Sequence, residues 1–397
     1  MFPYLLLFIN ILIGIDREVL LHFLPPSQRT TVLPCCRIST LLREALLRDR
    51  SVVLILCFLV IFGTFSVAQS NTSQSNPTTA QTPSFAPIDP AVQVKQMQRG
   101  VNIIGYDPLW QSFDKRRFKQ EYFKQLLDAG FRTVRVNLHA FRHMDSMNRM
   151  DPTWFKTLDW VVDNATSAGL TVILDEHDYN ACGDDAALCR TKLIAFWEQV
   201  APRYKNASNA VIFEILNEPN KALTSSGWNA LLHDALAIIR TSNPDRNVVI
   251  GPAWWNSIKQ LDTLDLPATD RHIIVTVHYY SPMEFTHQGA KWNKETAQLS
   301  GIKWGTPAEQ QSVAKDFDAV QHWSEASGRP ILLGEFGAYD KGDMDSRAKY
   351  TSFVARTAES HGWAWTYWQF DSDFVLYDVT RDKWIEPIRD ALIPKGQ

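Results

Sequence analysis

"VIFEILNEPN", residues 211–220, is an apolar run that ends in an amide, a carboxylate and a proline. Pro219 has no backbone N–H to give to a neighbouring strand, so a buried strand here has to stop by Asn217 and Glu218. A strand stopped that way delivers two polar side chains at its C-terminal end. Seven further runs share the apolar, β-branched character: "GVNIIG" from 100, "TVRVNL" from 133, "TVILD" from 171, "NVVIG" from 247, "IIVTVH" from 273, "PILLGEF" from 330 and "WAWTYW" from 363. Between most of them lie stretches such as "FKQEYFKQLLDAG", "WFKTLDWVVDNATSAG" and "WNALLHDALAIIRTS", whose apolar residues follow helical spacing. Gly130, Gly169, Gly328 and Gly362 stand just before the next run, where a left-handed C-cap ends a helix. Alternating strands and helices imply a parallel sheet covered on both faces. Eight strands in about 300 residues fit an α/β fold closed as a (β/α)8 TIM barrel. An open doubly wound sheet is the alternative architecture.

The 397 residues are 45% hydrophobic and 21% charged, enough to build a large core. A formal net charge of -3 without a sustained basic run excludes an electrostatic footprint for nucleic acid or an anionic membrane. Fourteen Trp residues supply flat apolar faces, most of them for the core and some for stacking on sugar rings.

The first 68 residues read as a leader. Arg43, Arg48 and Arg50 precede an apolar stretch from Val52 to Phe65, and Ser66 and Ala68 occupy small-residue cleavage positions. This is a secretory signal cut after Ala68, giving a secreted or periplasmic protein with no stable membrane insertion after cleavage. An uncleaved anchor is the alternative, although this run is shorter than the about 20 residues a span needs. Residues 69–95 form a flexible linker, poor in charge and rich in Ser, Thr and Pro, and residues 96–397 form the barrel. Cleavage removes Cys35, Cys36 and Cys57 and leaves Cys182 and Cys189, which form either a small loop-closing disulfide or two buried thiols.

No dinucleotide or phosphate-loop glycine pattern, no H-E-x-x-H and no G-x-S-x-G is present. Catalytic side chains of such barrels stand at the C-terminal strand ends. The candidates there are Arg135; Asp175, Glu176 and His177; Asn217 and Glu218; His278 and Tyr280; Glu335; and Trp368. Glu218 and Glu335, after the fourth and seventh runs, form the carboxylate pair that glycosidic cleavage needs, one to protonate the departing oxygen and one to attack or to activate water. Glu214, in the middle of its run, reads as a buried structural acid. Glu176, His177 and Asp178 alternate in direction on an extended chain, so they do not make a metal set, and neither metal nor cofactor is expected.

"ILNEP" around Glu218, "LLGEFG" around Glu335, "HYY" at His278 and "LDEH" at His177 resemble glycoside hydrolase family 5, the retaining cellulase-type barrels. The resemblance runs from about Arg99 to the C-terminus. It implies that Glu218 is the acid/base and Glu335 the nucleophile, that Asn217 bonds the sugar 2-hydroxyl, and that Arg135 and Tyr280 hold Glu335. It also implies that His177 and His278 line the cleaved-bond site and that Trp368 is the platform on the non-reducing side. In the long segment before the seventh strand, Trp292 or Trp304 stacks on a further sugar, or both cover the barrel wall.

The expected activity is that of a retaining endo-β-1,4-glucanase acting as a monomer on a β-linked polysaccharide or oligosaccharide. The catalytic set does not encode the sugar, so a β-mannanase or xyloglucanase stands beside it. A non-catalytic or membrane-tethered glycan-binding protein is the alternative from another class.

Overall fold

In the computed structural model, which describes residues 84–395, eight parallel strands close into one barrel. They are β1 Arg99–Ile103, β2 Thr133–Leu138, β3 Thr171–Glu176, β4 Val211–Glu214, β5 Val248–Ile250, β6 Ile273–Tyr279, β7 Ile331–Phe336 and β8 Ala364–Tyr367. They pair in chain order, and β8 closes onto β1 through Arg99 opposite Trp365. Each expected strand is present, and the closed barrel excludes the open doubly wound sheet. β4 is shorter than its apolar run: it ends at Glu214, while Ile215 and Asn217 still donate to Val249 O and Glu176 O.

The helices between strands bury one face each. Glu121–Ala129 turns Tyr122, Phe123 and Leu126 inward and ends on Gly130 at φ 107°, a conformation that glycine adopts without a Cβ clash. Gly169, Gly328 and Gly362 likewise have positive φ. The link from β5 to β6 has no long helix, only a left-handed turn at 254–256 followed by a 3-10 stretch, Ile258–Thr263.

The expected linker boundary at 95 moves toward the N-terminus. Pro90–Met97 is a helix with Asp89 as N-cap, its carboxylate accepting from the Ala91 and Val92 N–H groups, and Pro90 in the first turn. Val94 and Met97 pack with Ile173, Ile212, Val249, Ile274, Leu332 and Ala364 in one buried cluster. Residues 90–95 therefore belong to the barrel, because they lie on the helix whose Val94 and Met97 seal its interior. The leader 1–68, with its signal sequence, Cys35, Cys36 and Cys57, and linker residues 69–83 lie outside the described residues.

Alternate residues of a strand share a face, and this periodicity raises the site. Above Ile173 come Asp175 and His177, above Ile212 comes Glu214, above Ile274 come Thr276 and His278, and above Ala364 come Thr366 and Trp368. On β7 simple alternation from Leu332 would turn Gly334 inward and Glu335 outward. The pairing shifts register there, from Val277 opposite Leu333 to His278 opposite Glu335, so the irregularity re-aims the carboxylate into the barrel. Gly334 is required at this point: a Cβ would stand 2.4 Å from Thr276 Oγ1 and 3.0 Å from His278 Nε2.

Candidate active site

Arg135 is fully buried and organises the upper barrel. It donates through Nε and Nη2 to both oxygens of Glu214, at 2.7 and 2.8 Å. Nη1 donates to Asn102 Oδ1 at 2.8 Å and to Glu335 Oε1 at 2.9 Å, and Nη2 donates to Asn217 Oδ1 at 2.8 Å and lies 3.1 Å from Asp175 Oδ2. Burial opposes its charge, but Asp175, Glu214 and Glu335 outweigh that cost and hold the guanidinium protonated. Glu214 is thus the structural acid expected of it.

Glu335 accepts a second hydrogen bond, from the Tyr280 hydroxyl at 2.9 Å. Glu218 Oε1 lies 2.8 Å from His278 Nδ1, and the same nitrogen is 3.6 Å from Glu335 Oε2. One oxygen of Glu218, one nitrogen of His278 and one oxygen of Glu335 all fall within 4.8 Å of one another. Glu335 has two donors fixed on it, whereas the Glu218 side chain is 14% exposed and, among the described residues, bonds His278 alone. Burial pushes the Glu218 carboxyl up to about 8, with Arg135 opposing and the charges of Asp175 and Glu214 adding. Burial also raises Glu335, to about 7, with His278 and Arg135 opposing and Glu218 adding. With Arg135 and Tyr280 both donating to Glu335, the proton the pair shares belongs on Glu218.

His278 is driven down to about 4 by burial, against the pull of Glu335, and is neutral near pH 7. His177 is driven well below its ordinary value by burial, with Arg135 adding. Its Nδ1 is 2.5 Å from Asp175 Oδ2, its Nε2 is 3.4 Å from Asn217 Nδ2, and its ring stacks on Trp368 at 5.5 Å and 8°. Trp368 in turn meets Tyr106 edge-on at 6.3 Å.

The Asn217–Pro219 loop is clamped. Glu218 has φ 43°, unusual for a residue with a side chain. Asn220 Nδ2 donates to Glu218 O at 2.7 Å and reaches Tyr179 O at 3.4 Å, tying the loop to the helix Tyr179–Asp184. The Cys182–Cys189 disulfide joins that helix to the next, Ala186–Arg203. On the other side the Trp255 N–H donates to Pro219 O at 3.2 Å.

Of the residues singled out from sequence, Arg135, Asp175, His177, Asn217, Glu218, His278, Tyr280, Glu335 and Trp368 converge here. Glu176 does not: it is buried and accepts from the Asp178 N–H, while Asp178 accepts from the Phe141 N–H, so the three adjacent residues diverge. Trp304 is 4% exposed and packs on Tyr350 and Phe353, so it covers the wall. Trp292 is 55% exposed and lies outside the cluster, meeting Tyr339 edge-on, with Phe374 between Tyr339 and Tyr280.

Sequence reasoning missed Asn102, Asn137, Asn256, Tyr106, Trp254 and Trp255. Asn137 Nδ2 bonds Asp175 Oδ2 and Asn102 Oδ1, at 3.0 and 3.1 Å. Its signal was its place two residues after Arg135, on the same inward face. Trp254 and Trp255, 42% and 43% exposed, present indoles beside the Glu218 loop from a turn whose one mark in the sequence is Gly251-Pro252 just before it.

Two acids at this separation, one biased toward holding a proton, suit double displacement at an acetal carbon: about 5–5.5 Å marks attack by the second carboxylate, and about 6.5–9.5 Å leaves room for a water. Known proteins carry the same arrangement of strands. The chain is 30% identical over 342 residues to endoglucanase H of Acetivibrio thermocellus, covering 81% of this chain and 36% of that protein. It spans about a third of the length of that relative and of the cellulase/esterase CelE of the same organism, 36% and 32%. Among solved structures, Thermotoga maritima Cel5A in complex with cellobiose is 38% identical with a TM-score of 0.73, covering 77% of this chain and 100% of the other. The same enzyme in complex with mannotriose superposes equally, at 37% identity, TM-score 0.73 and the same coverage. The family model for cellulase matches residues 94–373, a span that begins within the sealing helix and takes in both Glu218 and Glu335. By that match, this chain belongs to the cellulase family, glycosyl hydrolase family 5.

Proposed function

We propose that this protein is a retaining endo-β-1,4-glucanase that cuts β-1,4-linked glucan chains. One observation carries the reading: one oxygen of Glu218 and one of Glu335 lie within 4.8 Å of each other, close packing that suits the about 5–5.5 Å carboxyl pair in which the second acid attacks the sugar carbon. Glu335, ionised and held by Arg135 and Tyr280, attacks the anomeric carbon while Glu218 protonates the departing oxygen. The resulting glycosyl ester on Glu335 is then opened by water, from which Glu218 takes the proton back. Asn217, with Oδ1 occupied by Arg135, offers its amide N–H to the 2-hydroxyl. His177 stacked on Trp368 makes a flat wall for the sugar on the non-reducing side, and Trp254 and Trp255 offer aromatic faces beside the Glu218 loop.

β-1,4-Mannan is the second reading, supported by the relative that was solved with mannotriose as well as cellobiose. Export is part of the proposal, and the Cys182–Cys189 disulfide supports it, because such bonds persist in oxidising compartments. The enzyme acts as a monomer. The test is a product profile on β-1,4-glucan, mannan, xylan and xyloglucan, with the product anomer followed by NMR. New reducing ends from glucan, appearing first as the β-anomer, are expected. Release from none of the four, or first appearance of the α-anomer, would overturn it. N-terminal sequencing of exported protein at Gln69 tests the leader.

A further inference from the structure

After β5 the chain makes a turn in which Trp254, Trp255 and Asn256 have φ of 57°, 62° and 50°. Three consecutive left-handed residues with side chains are costly, and such strain persists where the surroundings over-determine it. Here the turn is held at both ends, by the Trp255 N–H on Pro219 O and by the bridge between Ser257 and His278. The turn brings Asn256, fully buried, to His278: Asn256 Nδ2 lies 3.2 Å from His278 Nε2. Gly251 makes the space, since a Cβ there would stand 2.3 Å from Asn256 Oδ1.

We propose that Asn256 is a positioning residue for Glu218: it donates to His278 Nε2, which keeps the imidazole proton on Nδ1, and Nδ1–H occupies Oε1 of Glu218 so that the transferable proton sits on Oε2. This rests on the glucanase reading and specifies its acid. A neutral imidazole carries one proton, and the nitrogen that accepts a hydrogen bond cannot also donate. With the proton on Nε2, two donors would face each other at 3.2 Å, and Nδ1 would draw the acid's proton onto the oxygen turned toward the ring. With the proton on Nδ1, the balance is clean. Oε2–H goes to the departing oxygen in the first step, the Nδ1–H stays in place on Oε1, and Oε2 recovers a proton from water in the second.

The test uses the ¹⁵N-labelled protein, with the His278 ring signals assigned by their absence in His278→Gln. Near pH 7 the wild type is expected to show a protonated Nδ1 and an unprotonated Nε2. Asn256→Asp keeps the size of the side chain and its tolerance of left-handed φ but accepts rather than donates, so Nε2 becomes protonated. In kcat/KM for aryl β-glycosides of glucose oligomers, Asn256→Asp falls roughly ten- to a hundred-fold for poor leaving groups, the worth of the Nδ1–H bond to Glu218 as that acid becomes a carboxylate. It falls far less for dinitrophenyl, which departs without a proton. Asn256→Gly, which also tolerates the turn, gives the same leaving-group dependence with a smaller loss. A wild-type Nε2 that already carries a proton, or equal losses across leaving groups, would overturn the proposal. Wild type inert on every β-glucoside would instead sink the glucanase reading, and the ring signals would still decide Asn256.

Discussion

At the N-terminal end of the barrel Ile173, Ile212, Val249, Ile274 and Leu332 close over Val94 and Met97; further along the same strands stand Asp175, Glu214, Thr276, His278 and Glu335. The lower layer is apolar and needs no partners. In the upper layer each buried charge is costly unless met, and Arg135 meets it by serving Glu214, Asp175 and Glu335 together. Within that layer Glu214 and Glu335 differ again. Glu214 is fully buried and takes both oxygens to Arg135; Glu335 takes one oxygen there and gives the other to Tyr280, facing Glu218. The difference separates an acid that holds the barrel from an acid that the barrel holds.

Replacing Glu335 by Gln gives the largest loss of activity, on the order of 10⁴-fold or more in kcat, because an amide cannot form the glycosyl ester. Stability moves the other way. The folded pKa of Glu335, near 7, lies above that of an exposed Glu, so protonation favours the folded state and its contribution fades as pH rises through 7. Glu335→Gln removes a carboxylate that is charged and crowded above that pH. Thermal melts at pH 8 should therefore show the variant at least as stable as the wild type; a marked drop would mean that Glu335 holds the barrel as Glu214 does.

Glu214→Gln should invert the pattern. Burial raises Glu214 as well, but it takes both oxygens to Arg135, and removing that member of the buried ion pair costs about 3–5 kcal/mol, read as a lower denaturant midpoint. Activity falls less, by on the order of tenfold to a hundredfold, through misplacement of Arg135 and so of Glu335. Catalysis lost with full stability would erase the distinction between the two acids.

These roles also set how far the molecule could be read from its sequence. All eight strands were legible because parallel strands buried on both faces are continuous apolar runs, and Pro219 marked where one of them delivers its acid. Asn102 and Asn137 were hidden inside such runs, where a polar residue reads as an interruption until closure shows which positions face inward. The inward turn of Glu335 depends on a register shift that only the packing of Gly334 against Thr276 and His278 reveals. The sealing helix did carry a signal, Asp89–Pro90, but the uncharged stretch before it dominates the composition of that segment. For the turn at 254–256, Gly251-Pro252 marks a turn but not its left-handed run, because that conformation is held by Pro219, Ser257 and His278.

The proton bias between the two acids predicts a bell-shaped pH dependence of kcat/KM. Under the proposed double displacement, turnover requires Glu335 ionised and Glu218 protonated. It falls as pH drops below about 7, where Glu335 takes up a proton, and as pH rises above about 8, where Glu218 loses one. Each limb falls tenfold per pH unit. The two macroscopic values belong to the pair; Glu218→Gln should remove the alkaline limb and leave the acid limb near its place, since Glu218 is already protonated and neutral while Glu335 titrates. An alkaline limb that survives in Glu218→Gln would assign the proton elsewhere.

The smallest effect on activity is expected at the opposite end of the barrel. Met97 is fully buried on the sealing helix, in the same cluster as Ile212 and Ile274, below the polar layer. Truncation to Ala loses the transfer free energy of the side chain and leaves a cavity, about 2–5 kcal/mol in all. The upper layer is fixed by its own hydrogen bonds from Arg135, Asn102 and Asn137, so the cavity should not reach Glu218 or Glu335. Urea titration should show the midpoint reduced, while kcat/KM below the transition stays at the wild-type value with the same two pH limbs. A shift in either limb would mean that the apolar floor sets the spacing of the acids above it, and the two ends of the barrel would then have to be treated as one coupled unit.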